Sequence, residues 1–409
     1  MIIKNNSENI YYEEVINLQK ELTKRVSLSP ENGGDGEMEV HNFLKKYAIS
    51  CGFDSVEGIL VPDERVSSGF RPSLIVTING AGSKRVWFMT HTDVVPAGEE
   101  SLWKTPPHEA AVVGDKIYGR GTEDNRQSLI STLLAAKYFV DQGITPPVTI
   151  KLLFVADEET GSEYGIKWIM KNKPDIFDRD DIFIVPDHGD PLGDTIEIAE
   201  KGILWITCRI SGKQSHGSRP DLGINAARAA SYLTVEIDNL RNKYNAADET
   251  FDYPYSSFEP TKRIGSITNM NTISGEEVCG FDCRILPCYD VELVMNDIKT
   301  IIAEIEKNRN VKIDYTIDQK VSSSKTAPDS PVVRILSDAV KKITGVTPRL
   351  IGVGGGTVAS PLRSSGFDAA LWSTIESTMH SPNEYSSVQN TLKDMSVFVE
   401  IVNIAGNRK

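Results

Sequence analysis

The sequence predicts an α/β domain with a mostly parallel sheet and helices on both faces, interrupted by an inserted α+β domain of the split βαβ, ferredoxin-like kind. Three observations carry this. Short continuous apolar runs such as Val86-Trp87-Phe88-Met89 read as strands buried on both faces. Segments with helical apolar spacing alternate with those runs, as in a parallel α/β sheet. From about Gly202 the order changes to β-α-β-β-α-β, the split βαβ unit.

In chain order, Val15, Leu18 and Leu22 follow helical spacing, as do Val40, Phe43, Leu44 and Tyr47. After the strand at Val86–Met89, Asn125 to Gln142 reads as a helix, with Leu129, Leu133 and Phe139 near one face and Gly143 as its stop. Thr149 to Ala156 and Ile182 to Val185 are further buried strands. The inserted segment reads as a strand at Ile203–Ile210, a helix at Gly223–Arg241 and strands at Lys262–Ile267 and Glu277–Ile285. An amphipathic helix follows, marked by Val291, Val294, Ile298, Ile301 and Ile305, and then a strand at Val311–Ile317. After Ser322-Ser323-Ser324 the α/β texture returns from Val332 to Lys409. The expected division is residues 1–201 with 320–409 as one domain and 202–319 as the insertion.

With 409 residues, 40% hydrophobic and 25% charged, the chain has an ordinary globular composition. Its net charge of -13 repels phosphate backbones and anionic lipid, so no nucleic-acid or membrane partner is expected. The start MIIKNNSENIYYEEV lacks an apolar signal core, and no apolar run is long enough to span a bilayer; a cytoplasmic location is expected. Five cysteines, an odd number, fit reduced thiols. Cys279 and Cys283 sit in a strand-like run without the C-x₂-C spacing of a zinc knuckle and read as buried structural thiols.

Chemistry gathers where strands end. His91 and Asp93 follow the Val86–Met89 strand directly, and ligands of parallel sheets collect beyond the carboxyl ends of strands. Residues at i and i+2 of an extended segment share a face, so the Asp93 carboxylate is expected to reach the His91 ring and fix its tautomer. Asp157-Glu158-Glu159 ends the Thr149–Ala156 strand, where adjacent carboxylates need a cation or an unusual proton distribution. Asp187 ends a third strand, Asp124 precedes a helix, and His380 comes late in the chain. Singly, each is matched by a bland reading: a surface-loop histidine or a solvated acidic turn. Together, His91, Asp124, Glu159, Asp187 and His380 supply the mixed N and O ligands that two divalent ions need.

These residues resemble the di-zinc hydrolases that include aminoacylase, carboxypeptidase G, acetylornithine deacetylase and succinyl-diaminopimelate desuccinylase. The resemblance runs from about Val15 to Val402 through H-T-D, G-R-G-x-x-D-N, D-E-E-x-G-S, P-D, S-H-G-S-R-P and H-S-P-N-E, in the family's order. It implies Asp124 as the bridging carboxylate, His91 and Asp187 on one ion, and Glu159 and His380 on the other. Glu158 becomes the general base and Asp93 the orienter of the ligating histidine. The implied cofactors are two divalent ions, Zn²⁺ first, with Co²⁺ or Mn²⁺ as alternatives. The resemblance also implies a homodimer through the inserted domain, with His216 completing the neighbouring protomer's site, and Arg284 gripping a substrate carboxylate. Gly355 and Gly356 fall on the pocket wall. Two departures stand out: Thr122-Glu123 where small residues are common, and Gly354-Gly355-Gly356-Thr357-Val358 in place of G-G-T-D.

The implied reaction is deacylation of an N-acyl amino acid, by water activated between the two metals with Glu158 moving the proton. A dipeptidase or carboxypeptidase would share the centre. A noncatalytic binding protein of the same fold would have no use for Glu158. Nucleotide binding through Gly352–Gly356 lacks the Gly-Lys-Ser/Thr that a phosphate loop needs. The paired alternative for Arg284 is a local salt bridge to Asp282, two residues away on the same face. His108 and His188 receive no role.

Overall fold

The computed structural model describes residues 5–407; the first four residues of the N-terminal stretch read above, and Arg408 and Lys409, lie outside the described residues. The chain divides into two compact units. One comprises the described residues through Ile198, then Thr326–Leu350 and Thr357 onward; the other comprises Ala199–Lys325 and Ile351–Gly356. The second unit's main segment runs over Ala199–Lys325 where 202–319 is expected, and the unit also takes in the glycine-rich segment Ile351–Gly356.

The first unit is a mixed α/β layer structure. Its strands lie in the order Ser55–Pro62, Phe70–Ile78, Thr149–Val155, Arg85–His91, Ile182–Val185, Ala369–Leu371 and Thr195–Glu200. The four central strands, Thr149–Val155 to Ala369–Leu371, run parallel. The flanking strands are antiparallel. The parallel strands are apolar on both faces because helices cover both. Trp87 and Met89 pack with Ile166, Ile169 and Leu362 on one face. Phe88 points the other way and meets Phe398 of the Val388–Asn407 helix, ring centroids 5.2 Å apart.

The helix expected from Asn125 begins instead at Ser128 and runs to Asp141. The preceding turn, Thr122–Gln127, has non-helical backbone at Asp124 and Asn125, and the peptide between them is cis. Its backbone and side chains are committed elsewhere, as described below.

The second unit is a four-stranded antiparallel sheet in the order Ser257–Gly265, Glu276–Ile285, Gly202–Ser211 and Lys312–Val321. Helices Ala226–Asp238 and Val291–Arg309 supply its core, with Leu233, Ile237, Val294 and Ile298 against Leu204, Ile206, Phe281 and Ile285. Both helices are N-capped by their own sequence: Asn225 accepts from Arg228 N, and Asp290 from Glu292 N. Cys279 stands directly opposite Cys208, and these two and Cys283 are buried free thiols. Among the described residues, no helix is long and apolar enough to cross a membrane.

Candidate metal centre

All the strand-end acids and imidazoles collect at one edge of the first unit, because the strands that carry them are parallel. His91 is the last residue of its strand. Glu158 and Glu159 follow the Thr149–Val155 strand in a short 3₁₀ turn, and Asp187 follows Ile182–Val185. His380 lies in the stretch after Ala369–Leu371, in a left-handed conformation with φ 60°.

Asp124 stands between the two histidines. His91 Nε2 is 2.9 Å from its Oδ1, and His380 Nε2 is 3.2 Å from its Oδ2. His91 Nε2 also lies 3.4 Å from Asp187 Oδ1, and His380 Nε2 lies 3.3 Å from Glu159. Two groups of donor atoms result, His91–Asp124–Asp187 and Asp124–Glu159–His380, each gathered within 4.8 Å. They share Asp124, so one carboxylate can offer an oxygen to each of two ions. Two imidazoles with three carboxylates suit borderline divalent cations such as Zn²⁺. Glu158 belongs to neither group but interacts electrostatically with Asp187 and His91 of the first and with Glu159 of the second.

The three acids in sequence have separate fates. Asp157 has φ 65° and turns away into a buried ionic cluster: its Oδ1 lies 3.4 Å from Arg71 Nη2, and Thr160 Oγ1 and Tyr164 N donate to it. Arg71 in turn donates from Nε to Glu37 at 2.7 Å. This leaves Glu158 and Glu159 facing the centre. Asp93 holds the turn that carries them, accepting from Glu158 N at 3.1 Å and Glu159 N at 3.0 Å. The expectation that the Asp93 carboxylate anchors the His91 ring needs amending for this reason. Its oxygens serve those two amides, and the nearer partner of His91 Nδ1 is the Asp93 backbone carbonyl, at 3.1 Å against 3.5 Å for the carboxylate. The outcome for the ring is the same, since a carbonyl at Nδ1 calls for the proton there and leaves Nε2 free to ligate.

The Asp124 turn is laced to the His380 loop by two buried glutamates. Glu384 Oε1 accepts from Glu123 N at 3.0 Å and Asp124 N at 3.1 Å, while its Oε2 accepts from Gly121 N at 3.1 Å and pairs with Arg120. Glu123 reaches the opposite way, accepting from Glu376 N, from Thr378 N at 2.6 Å and from Thr378 Oγ1 at 2.7 Å. Gly121 is required by position: its φ is 78°, and a Cβ there would stand 2.4 Å from Val94. Asn125 donates to Pro186 O at 2.9 Å and to Asp187 Oδ1 at 2.6 Å, fixing one ligand from the next residue along. Glu123, Glu384 and Asn125 all fall inside the motifs but are not among the candidate site residues that the sequence points to. The available signal is Glu123 itself, an acid immediately before Asp124 where small residues are common. The departure at Glu123 is a tie between loops.

The charge pattern is that of a cation site. Among the described residues, the ion pairs of Asp124, Asp187 and Glu159 are with imidazoles. Burial pushes Glu158 well above the ordinary carboxylate range, and the nearby Asp187 charge adds to this. Burial, then Asp124, pushes Glu159 up to about 7, and burial raises Asp187. Asp124 is lowered, because hydrogen bonds from His380 and His91 outweigh its burial. Burial opposes charge on His91, but Asp187 and Asp124 outweigh it and raise the ring well above its usual value. Hydrogen bonds to Asp124 and Glu159 raise His380 to about 10. The unassigned His108 and His188 are both lowered by burial.

In the second unit, His216 is exposed and accepts at Nδ1 from Ser218 N at 3.2 Å. Arg284 is engaged locally: Nε and Nη2 fork onto Asp282 at 2.7 and 3.0 Å, and Nη1 donates to Gly354 O. This is the paired alternative that the sequence offered. Gly355 has open space around it, with nothing within 4 Å of an added Cβ, and Gly356 meets only Val321 at 3.8 Å.

The profile described as peptidase family M20/M25/M40 matches residues 87–404, more than half of the chain. An uncharacterized metallohydrolase of Methanocaldococcus jannaschii is 38% identical over 408 residues, covering 95% of this chain and 99% of that protein. Among solved structures, an M20 family metallo-carboxypeptidase from Sulfolobus solfataricus has a TM-score of 0.77 at 21% identity, covering 97% of this chain and 100% of its own. A tripeptidase from Staphylococcus aureus has a TM-score of 0.75 at 20% identity, covering 97% and 99%.

Proposed function

Taking as premise that the chain belongs to peptidase family M20/M25/M40 and is a metal-dependent hydrolase, we propose that it cleaves one amide bond of a small N-acyl amino acid or short peptide, with Glu158 as general base. The observation that carries this is Asp124 between His91 and His380, with Glu158 part of neither donor group but interacting electrostatically with members of both.

His91 and Asp187 would hold one ion, Glu159 and His380 the other, and Asp124 would bridge. Bound there, a pair of divalent cations lowers the pKa of water and polarises a carbonyl. Glu158 takes the proton from the attacking water and passes it to the leaving nitrogen. Its raised affinity for a proton suits that exchange. Asp93 holds the backbone of the Glu158-Glu159 turn, so base and ligand are positioned together.

Substrate recognition is assigned to the second unit. Because Ser218 N–H donates to His216 Nδ1, the neutral ring carries its proton on Nε2, which makes it a donor suited to a developing oxyanion. In a homodimer through this unit, that donor would serve the partner's centre. Arg284 would exchange Asp282 for a substrate carboxylate, and Gly355 and Gly356 would line the pocket.

The deacylase reading rests on the motifs. The peptide reading is favoured by the carboxypeptidase and tripeptidase among the structures of similar fold. Metal-reconstituted protein assayed on N-acetyl amino acids, dipeptides and tripeptides separates them. Turnover of the acetyl series above the peptides supports deacylation, the reverse supports a peptidase, and turnover of neither contradicts both.

A further inference from the structure

The metal centre has a rigid half and a loop half, and the loop half depends on a residue outside it. His91 ends a strand. His380, by contrast, lies outside any helix or strand, in the stretch between the Ala369–Leu371 and Tyr385–Ser387 strands. We propose that Glu123 is a positioning residue for the second ion: its buried carboxylate fixes the His380 loop relative to Asp124, and through it the Asp124–Glu159–His380 group. This rests on the two-metal reading given above.

The geometry supports it at three points. Glu123 is the neighbour of the shared ligand Asp124, so whatever it holds is held relative to the bridge. Its two oxygens take three donors from the loop, at Glu376 N, Thr378 N and Thr378 Oγ1. Thr378 is two residues before His380, and its hydroxyl also accepts from Tyr385 N at 3.1 Å, on the far side of His380. The loop is thus pinned both before and after its ligand. The first group, His91–Asp124–Asp187, receives no bond from the Glu123 side chain among the described contacts. Asp187 is fixed by Asn125 instead.

Glu123→Gln is the informative change. An amide keeps the size but turns one acceptor into a donor facing backbone N–H groups, so part of the clamp is lost and part repels. The experiment is equilibrium dialysis of metal-stripped full-length protein against Zn²⁺, with bound ion counted for wild type, Glu123→Gln, His380→Ala and the double variant. Wild type should hold two ions. Glu123→Gln should leave one ion at its wild-type affinity and weaken the other by roughly 10–100-fold, the usual scale for outer partners of metal ligands. In the His380→Ala background the same change should leave the remaining ion's affinity unaltered. Thr378→Val, which removes one donor and keeps the shape, should produce a smaller loss of the same ion, and it carries the test if Glu123→Gln does not fold. Equal weakening of both ions, no weakening, or a further loss in the His380→Ala background would overturn the role of Glu123. A wild-type protein that binds only one ion would instead overturn the two-metal reading beneath it.

Discussion

The two halves of the candidate metal centre are built from the same chemistry on different foundations. His91 ends a strand paired on both sides, and its side chain is 1% exposed. His380 sits in a loop with its side chain 53% exposed and its backbone in the left-handed region. The first half inherits its geometry from the sheet, whose core fixes the strand ends. In the second half Glu159 follows a strand end, but His380 does not, and the position of its loop is delegated to hydrogen bonds accepted by Glu123 and Glu384. Precision on a loop costs extra buried polar groups, and each must be fully satisfied to be tolerated.

The largest expected effect separates chemistry from either half. Glu158→Gln removes proton transfer and leaves both donor groups intact. Its kcat should fall by about 10²–10⁴-fold with two ions still bound. Retained kcat would assign the base elsewhere, and loss of metal would make Glu158 a ligand. A smaller, asymmetric effect follows from the foundations. His91→Ala opens a buried polar site, so it should cost thermal stability as well as the first ion. His380→Ala should cost the second ion with little change in Tm, its side chain being half in solvent. Equal losses of Tm in the two variants would erase the contrast.

This asymmetry also explains what could be read from sequence. His91, Glu159 and Asp187 were legible from physical pattern, because buried apolar runs mark strands and parallel strands deliver their ends to one edge. Asp124 and His380 carry no such marker. One lies in a turn that mimics a helix start, so the helix was expected three residues early, and the other in an irregular loop. They became legible only through motifs in a fixed order. The β-α-β-β-α-β order of the second unit is readable because its helices are amphipathic and its strand Gly202–Ser211 alternates buried and more exposed residues. The split of Asp157 from Glu158 was not, because it depends on the left-handed turn at Asp157 and on Arg71, far away in sequence. The lacing by Glu123 and Glu384 was hidden for the same reason, since each acid's partners lie more than 250 residues away.

The central claim is that one bridged pair of ions carries the hydrolysis. The most direct measurement follows bound metal and amide hydrolysis together in one sample, through exhaustive chelation and then stepwise return of Zn²⁺, Co²⁺ or Mn²⁺. Activity should disappear as metal is removed and be restored fully only as the second ion per chain is filled. Full activity in protein with no detectable metal would contradict the account.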